Sequence, residues 1–273
     1  MHPFQVDLTM LETVILAVLQ GVAEFLPISS SGHLVVAQNL LGVNEPGKLL
    51  EVCLHFGTLA SIFVFYRKRI CSLLGGCFMP GANPAERVAA WLFAAKLFVS
   101  ALPAVAVYAF FHDEIDSMFE NARFVGAMLM FTGAVLVGTR YMPRGVRDVN
   151  FVRALLMGAG QAVALLPGVS RSGMTIASAR AGKVAPESCA EFSFLMSAPL
   201  ILGATLLEAV KVFRGGCGGD AGGWFALSAG TAIAAVVGYF SLALLVKALK
   251  GRWFWLFGPY CIAAGLAVVV FCK

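Results

Sequence analysis

Charge is what this sequence has least of. Only 13% of its 273 residues are Asp, Glu, Lys or Arg, while 59% are hydrophobic. Soluble domains carry charge at about a quarter of positions, so an ordinary soluble fold is excluded. Paired cysteines are missing too. Seven cysteines (Cys53, Cys71, Cys77, Cys189, Cys217, Cys261 and Cys272) are scattered, odd in number and never spaced as CxxC. Neither a zinc site nor a disulfide framework is therefore indicated. The first residues lack a basic leader, carry Asp7 and Glu12, and have no small-residue cleavage site before Pro27. They are therefore not expected to form a secretory signal.

What is present is apolar sequence in long runs. Residues 49–66, 88–111, 124–139, 189–210, 224–245 and 253–271 can each cross ~30 Å of hydrocarbon as a helix. With these as spans, one side of the membrane receives Arg67, Lys68, Arg69, Arg87, Arg140, Arg144, Arg147, Arg153, Arg180, Lys183, Lys247, Lys250 and Arg252. The other side receives Lys48, Arg123, Lys211, Arg214 and Lys273, together with Asp113, Glu114, Asp116 and Glu120. Lys96 and Arg171 fall within the apolar region. By the positive-inside rule the richer side is cytoplasmic. The net charge of +5 is thus explained without nucleic acid as a partner.

Two apolar stretches are too short to cross. Residues 10–26 are stopped by Pro27 and a serine run, and 34–41 is shorter still. An arm of ~25 Å cannot cross comfortably and also leave that motif in water. The expectation is a re-entrant helical hairpin that breaks at 27–32, a pattern repeated by 152–166, 167–173 and 174–181. A single ungapped offset of 141 residues pairs Gln20 with Gln161, Ser29 with Ser170, Ser31 with Ser172 and Gly32 with Gly173. At the same offset Glu24 meets Leu165 and Ser30 meets Arg171, so one scaffold carries different chemistry in its two halves.

Charge placement makes the first hairpin enter from outside and the second from the cytoplasm. The predicted fold is one all-α polytopic membrane domain over 1–273, with six transmembrane helices and two re-entrant helical hairpins in an inverted-topology repeat. Repeat 1 covers about 8–140 and repeat 2 about 150–273, and both termini lie outside.

Polar groups dense within membrane-like sequence mark a candidate site. Gln20 and Glu24 share a helix face at i and i+4, and their oxygens suit a hard divalent cation, Mg²⁺ or Ca²⁺. Ser29, Ser30 and Ser31 follow a proline and precede Gly32, where hydroxyls cap a returning helix whose N–H groups attract anions. His33 stands on that helix's first turn as a candidate for acid–base or nucleophilic work. Arg171 cannot shed its proton, so at this depth it needs an anion: Glu24, Glu51, Glu191 or a ligand phosphate. Ser170, Ser172, Gly173 and Thr175 surround it with further donors. Glu51 and Glu191 open equivalent spans at an offset of 140 residues and are candidate orienting groups.

The segments QGVAEFLPISSSGH, LEVCLHFGTLA, LLPGVSRSGMT and AEFSFLMSAPLILGAT, taken in order, resemble the bacterial undecaprenyl-diphosphate phosphatases, the bacitracin resistance protein family. The resemblance covers essentially the whole chain. It implies a bacterial plasma (inner) membrane enzyme that removes the terminal phosphate of a C55 isoprenyl diphosphate and recycles the carrier lipid for cell-wall synthesis. The family's acidic motif falls on Gln20 and Glu24, its serine–glycine–histidine motif on 29–33, and its arginine motif on 167–175. The first acidic position, often Glu in the family, is Gln20 here, which removes one negative charge from the expected metal site.

The mechanism this suggests has Arg171 and nearby hydroxyls holding phosphate oxygens, a divalent cation at Glu24, and Ser30 or His33 as the attacking group, with His33 the proton acceptor if Ser30 attacks. The catalytic opening is expected on the periplasmic side, membrane lipids surround the chain, and a homodimer is left open. A lipid-phosphate flippase or transporter on the same inverted repeat is the alternative. The type-2 phosphatidic acid phosphatases also use an SGH motif but need a later Arg followed by a second His, and no histidine follows His112.

Overall fold

The computed structural model describes residues 9–41, 48–119, 121–214 and 221–271, and among these the chain is helical, with no strand. Eleven α-helices follow in order: α1 (Met10–Ala23), α2 (Ser30–Leu41), α3 (Lys48–Phe65), α4 (Arg67–Phe78), α5 (Pro84–Met118), α6 (Ala122–Gly138), α7 (Phe151–Val163), α8 (Arg171–Ala181), α9 (Pro186–Arg214), α10 (Ala221–Lys250) and α11 (Phe257–Phe271). Their starts follow local chemistry. Thr9 and Glu12 form a reciprocal capping box on α1, and Asn83, Asn121, Asn150 and Ser170 each cap the helix that follows with a side-chain oxygen.

Five helical stretches are long and apolar enough to cross a membrane: Pro84–Met118, Ala122–Tyr141, Pro186–Leu207, Gly223–Lys250 and Phe254–Phe271. Phe98, Phe110, Phe225 and Phe240 on these spans are exposed, which water would not tolerate in such number and lipid does. The protein is a multi-pass membrane protein. The expected span at 49–66 is a partial match. Leu49–Phe65 is helical, but the chain bends by 75° and continues as α4 where a loop was expected. Three consecutive cations, Arg67, Lys68 and Arg69, cannot run on into hydrocarbon. At the bend α4 turns and lies on α5, where a methyl at Gly76 would come within 2.8 Å of the Ala90 Cβ.

Besides α4, four helices are short. α1, α2, α7 and α8 have 14, 12, 13 and 11 residues, so each extends only ~17–21 Å. α1 packs on α2 and α7 on α8, and each short pair leans on a long helix from the other half of the chain: α1 on α10, α7 on α5. Between the halves, α3 meets α9 and α6 meets α11. The α6–α11 crossing is made by glycine on both sides. A methyl at Gly126 would sit 2.8 Å from the Gly265 carbonyl oxygen, and one at Gly133 would sit 2.7 Å from that of Gly258. Such close backbone approach is how membrane helices gain packing where burial of apolar surface offers little.

Candidate active site

The last turn of α1 carries Gln20, and Glu24 closes it, its N–H donating to the Gln20 carbonyl. Both side chains are buried. After the turn at 24–28, Ser29 takes a φ of 68°, in the left-handed region. Strain of that kind, about 1–3 kcal/mol, collects at functional sites. α2 then begins at Ser30. In the second half, Gly168 has φ 88°, and a methyl there would stand 2.2 Å from the Val125 carbonyl oxygen, so only glycine fits. Thr132 of α6 straps this turn by accepting the Ser170 N–H at 3.1 Å. The two turns abut. A methyl at Gly32 would lie 3.5 Å from the Gly168 Cα, and one at Gly173 would lie 3.4 Å from the Pro27 Cβ.

That contact brings Arg171, the first residue of α8, onto Glu24. Its Nη2 donates to Glu24 Oε1, and the two side chains are only 18% and 5% exposed. The other carboxylate oxygen, Oε2, accepts Ser30 Oγ at 2.9 Å and Gln20 Nε2 at 3.0 Å. Gln20 Nε2 also donates to His55 Nδ1 at 2.9 Å, and His55 stands 3.8 Å from Glu24 Oε2. Two polar atoms here are buried without a partner among the described residues: Gln20 Oε1, an acceptor, and Arg171 Nη1, a donor. An unpaired buried polar atom costs about 1–3 kcal/mol, so each is poised for a ligand or water.

Gln20, Glu24, Ser30 and Arg171 therefore converge. Other predicted residues point elsewhere. His33 Nδ1 donates to the Ser29 carbonyl at 2.9 Å and its Nε2 meets the Tyr260 hydroxyl at 2.7 Å, so its ring turns to α11. Ser30 Oγ–H donates its hydrogen bond to Glu24, and none joins it to His33. Ser29 and Ser31 share an Oγ–Oγ contact of 3.3 Å, matched by Ser170 and Ser172 at the same distance. Gly173 N–H is taken by Ser170 Oγ at 3.1 Å, and Thr175 is bonded to Ser193 at 2.6 Å and to the Arg171 carbonyl at 2.8 Å. Of the three acids open to Arg171, Glu24 takes it. Glu191 accepts Arg69 Nε at 2.8 Å, and Glu51 lies on α3 one turn before His55. His55 and Tyr260 are the residues that sequence reasoning passed over. The available signal was scarcity: His55 is one of four histidines, set in an otherwise apolar run.

This arrangement can take a proton from a hydroxyl and hold an anionic oxygen at the free guanidinium nitrogen. Among the described residues no group of three His, Cys, Asp or Glu could hold a metal ion. The Glu24 carboxylate and the orphaned Gln20 carbonyl oxygen are the groups here that could hold a hard divalent cation, with water and substrate phosphate completing its shell.

Residues 13–267 match the family described as bacitracin resistance protein BacA. Proteins named undecaprenyl-diphosphatase are similar over nearly the whole chain. That of Desulforapulum autotrophicum is 36% identical over 94% of this chain and 96% of its own length. That of Desulfosudis oleivorans is 37% identical over 93% and 96%, and that of Salinibacter ruber 36% over 94% and 97%.

Proposed function

The chain belongs to the bacitracin resistance protein BacA family, and from that premise we propose that its Glu24–Ser30–Arg171 cluster hydrolyses an isoprenyl diphosphate. Its relatives are named undecaprenyl-diphosphatase, and the activity proposed for this chain is theirs. It removes the terminal phosphate of the C55 diphosphate, giving undecaprenyl phosphate and inorganic phosphate, and so returns carrier lipid to peptidoglycan synthesis. The diphosphate is also bacitracin's target, which links its turnover to resistance. Relatives named for hydrolysis favour this over a transporter on the same architecture.

The observation that carries the mechanism is the Ser30 hydroxyl donating to Glu24 while Arg171 holds the opposite oxygen. Ser30 Oγ attacks the terminal phosphorus as its proton passes to Glu24, and the bond from phosphorus to the bridging oxygen breaks. The isoprenyl monophosphate leaves, and water then hydrolyses the phosphoserine. Arg171, through Nη1, neutralises charge on the transferred phosphoryl oxygens, the largest contribution in phosphoryl transfer. His33, held by Ser29 and Tyr260, positions α2 and is not the proton acceptor for Ser30. Glu24 and the Gln20 carbonyl oxygen would hold a divalent cation, which when bound supplies charge neutralisation for the diphosphate.

Six crossings with two re-entrant hairpins in an inverted repeat are the arrangement we propose for the fold. Three facts support it: the short lengths of α1, α2, α7 and α8, the reciprocal pairing of α1 with α10 and α7 with α5, and the mutual contact of the two turns. With the basic loops cytoplasmic, both termini and the opening to Glu24 face outward.

The test is phosphate release from C55 diphosphate by detergent-purified protein, with and without a chelator. Release that falls with chelation and returns with Mg²⁺ supports the reading. No release under any metal condition overturns it.

A further inference from the structure

α8 has an arginine near each end, and only one belongs to the site above. At the far end a small open recess is lined by Arg144, Arg180 and Arg252, with Val184 and Leu249 as its apolar wall. Its residues come from separated parts of the chain: the loop after α6, the end of α8, and the turns before α9 and after α10. The fold, not a local run of basic residues, gathers these three guanidinium groups.

The recess is built, not a loose basic surface. The 145–147 loop is strapped to 183–185: Arg147 N–H donates to the Lys183 carbonyl at 3.1 Å and Ala185 N–H to the Arg147 carbonyl at 2.9 Å. Gly145 lies so close that a methyl would stand 2.1 Å from the Val184 carbonyl oxygen. Strain collects here as well. Besides Ser29, the non-glycine residues with positive φ among the described residues are Lys183 at 58° and Arg252 at 61°. Each directly follows a glycine, Gly182 or Gly251, so each turn puts a cation where the neighbouring glycine would fit without strain.

The charge is unbalanced. Among the described residues no carboxylate forms an ion pair with Arg144, Arg180 or Arg252; Glu187, next in the chain to the lining Pro186, is paired with Lys250 at 3.4 Å and also feels the charge of Arg144. Arg180 spends one donor on the Thr139 carbonyl at 2.9 Å. A negative helix end attracts cations, which accounts for Arg180 and Arg252 but not for Arg144 in its loop. Guanidinium groups grip phosphate through paired N–H donors, and basic pockets between membrane helices take phosphate headgroups.

We propose that Arg144, Arg180 and Arg252 form a second anion site that takes a phosphate group, from an anionic lipid headgroup or from inorganic phosphate. It is set apart from the Glu24–Arg171 cluster by ~14 Å along α8 and does not depend on the reaction assigned there.

The test uses the full-length protein in phosphatidylcholine nanodiscs. Inorganic phosphate is titrated, and in separate discs phosphatidic acid, while tryptophan fluorescence is followed. Trp253 adjoins Arg252 in the chain and Trp255 lies under Arg140 at 4.5 Å. The expected result is a saturable response to at least one probe, kept by Arg171→Ala and weakened at least tenfold by Arg144→Gln with Arg252→Gln. Arg144 and Arg252 are exposed, so the paired substitution removes charge without opening the core; phosphate release from C55 diphosphate reports that the paired variant is folded, and a cooperative thermal unfolding transition reports it for Arg171→Ala, which lacks turnover. A response to phosphatidic acid alone assigns a lipid headgroup, and a response to phosphate assigns the free ion. No response to either, an unchanged affinity in the paired variant, or loss of the response in folded Arg171→Ala overturns the proposal.

Discussion

The Arg171 guanidinium is hydrogen-bonded to the Glu24 carboxylate, 147 residues earlier in the chain. The first half of the chain supplies a carboxylate and a hydroxyl, and the second half supplies the cation. At offset 141 each half lacks what the other holds, since Leu165 stands for Glu24 and Ser30 for Arg171. The cluster exists only where the two turns meet.

Removing that cation has two measurable consequences. Arg171→Ala is expected to lower phosphate release by at least a hundredfold, the loss typical for a donor aimed at developing charge. It also strands a buried carboxylate, which costs about 3–5 kcal/mol. Arg171→Ala with Glu24→Gln should recover thermal stability but not turnover. Near-normal release by Arg171→Ala would remove it from the mechanism.

Among the serines the geometry separates Ser30 from its neighbours. Ser30→Ala should abolish turnover, whereas Ser31→Ala, losing only a 3.3 Å contact to Ser29, should retain it within about tenfold, the net worth of one hydrogen bond. Brief reaction with substrate labelled in its terminal phosphate should leave label on the protein in the wild type and none in Ser30→Ala. Label retained by Ser30→Ala would move the attack to another group.

His55 reaches Glu24 through the Gln20 amide. His55→Ala and Gln20→Ala should each slow turnover about tenfold, and because the two side chains are in direct contact, the double variant should be little slower than the worse single one. Simple multiplication of the two effects would show that they act separately. His55→Gln, which keeps a hydrogen-bonding group, should restore part of the rate.

Packing offers a test away from the chemistry. At Gly133 a methyl would meet Ile262 Cγ1 at 2.6 Å and the Gly258 carbonyl oxygen at 2.7 Å, so Gly133→Leu must force α6 off α11. A marked fall in thermal stability is expected. Gly203, within α9, has nothing within 4 Å of an added methyl, and Gly203→Ala should stabilise by about 0.5–1 kcal/mol, since glycine is costly in a helix interior. Equal effects at the two positions would contradict the α6–α11 crossing.

The sequence by itself determined that the protein is helical and embedded in a membrane, because hydropathy and helix length are properties of local runs. It also placed the ends of α1 and α7 near Pro27 and Pro167, because proline and glycine act on their own backbone. Gln20, Glu24, Ser30 and Arg171 were legible as candidates because polar groups in apolar surroundings are costly wherever they sit. Which of them meet was left to tertiary structure. Three acids were open to Arg171, and only the rotation of α1 and α9 about their axes gives Arg171 to Glu24 and leaves Glu191 to Arg69. The same holds for His33, which a one-dimensional reading sets beside Ser30 and the fold turns toward Tyr260. The 75° bend before α4 and the arrival of His55 at Gln20 were equally out of reach. Each depends on how one helix face lies against another, and contacts across such distances leave no mark in the local composition of either segment.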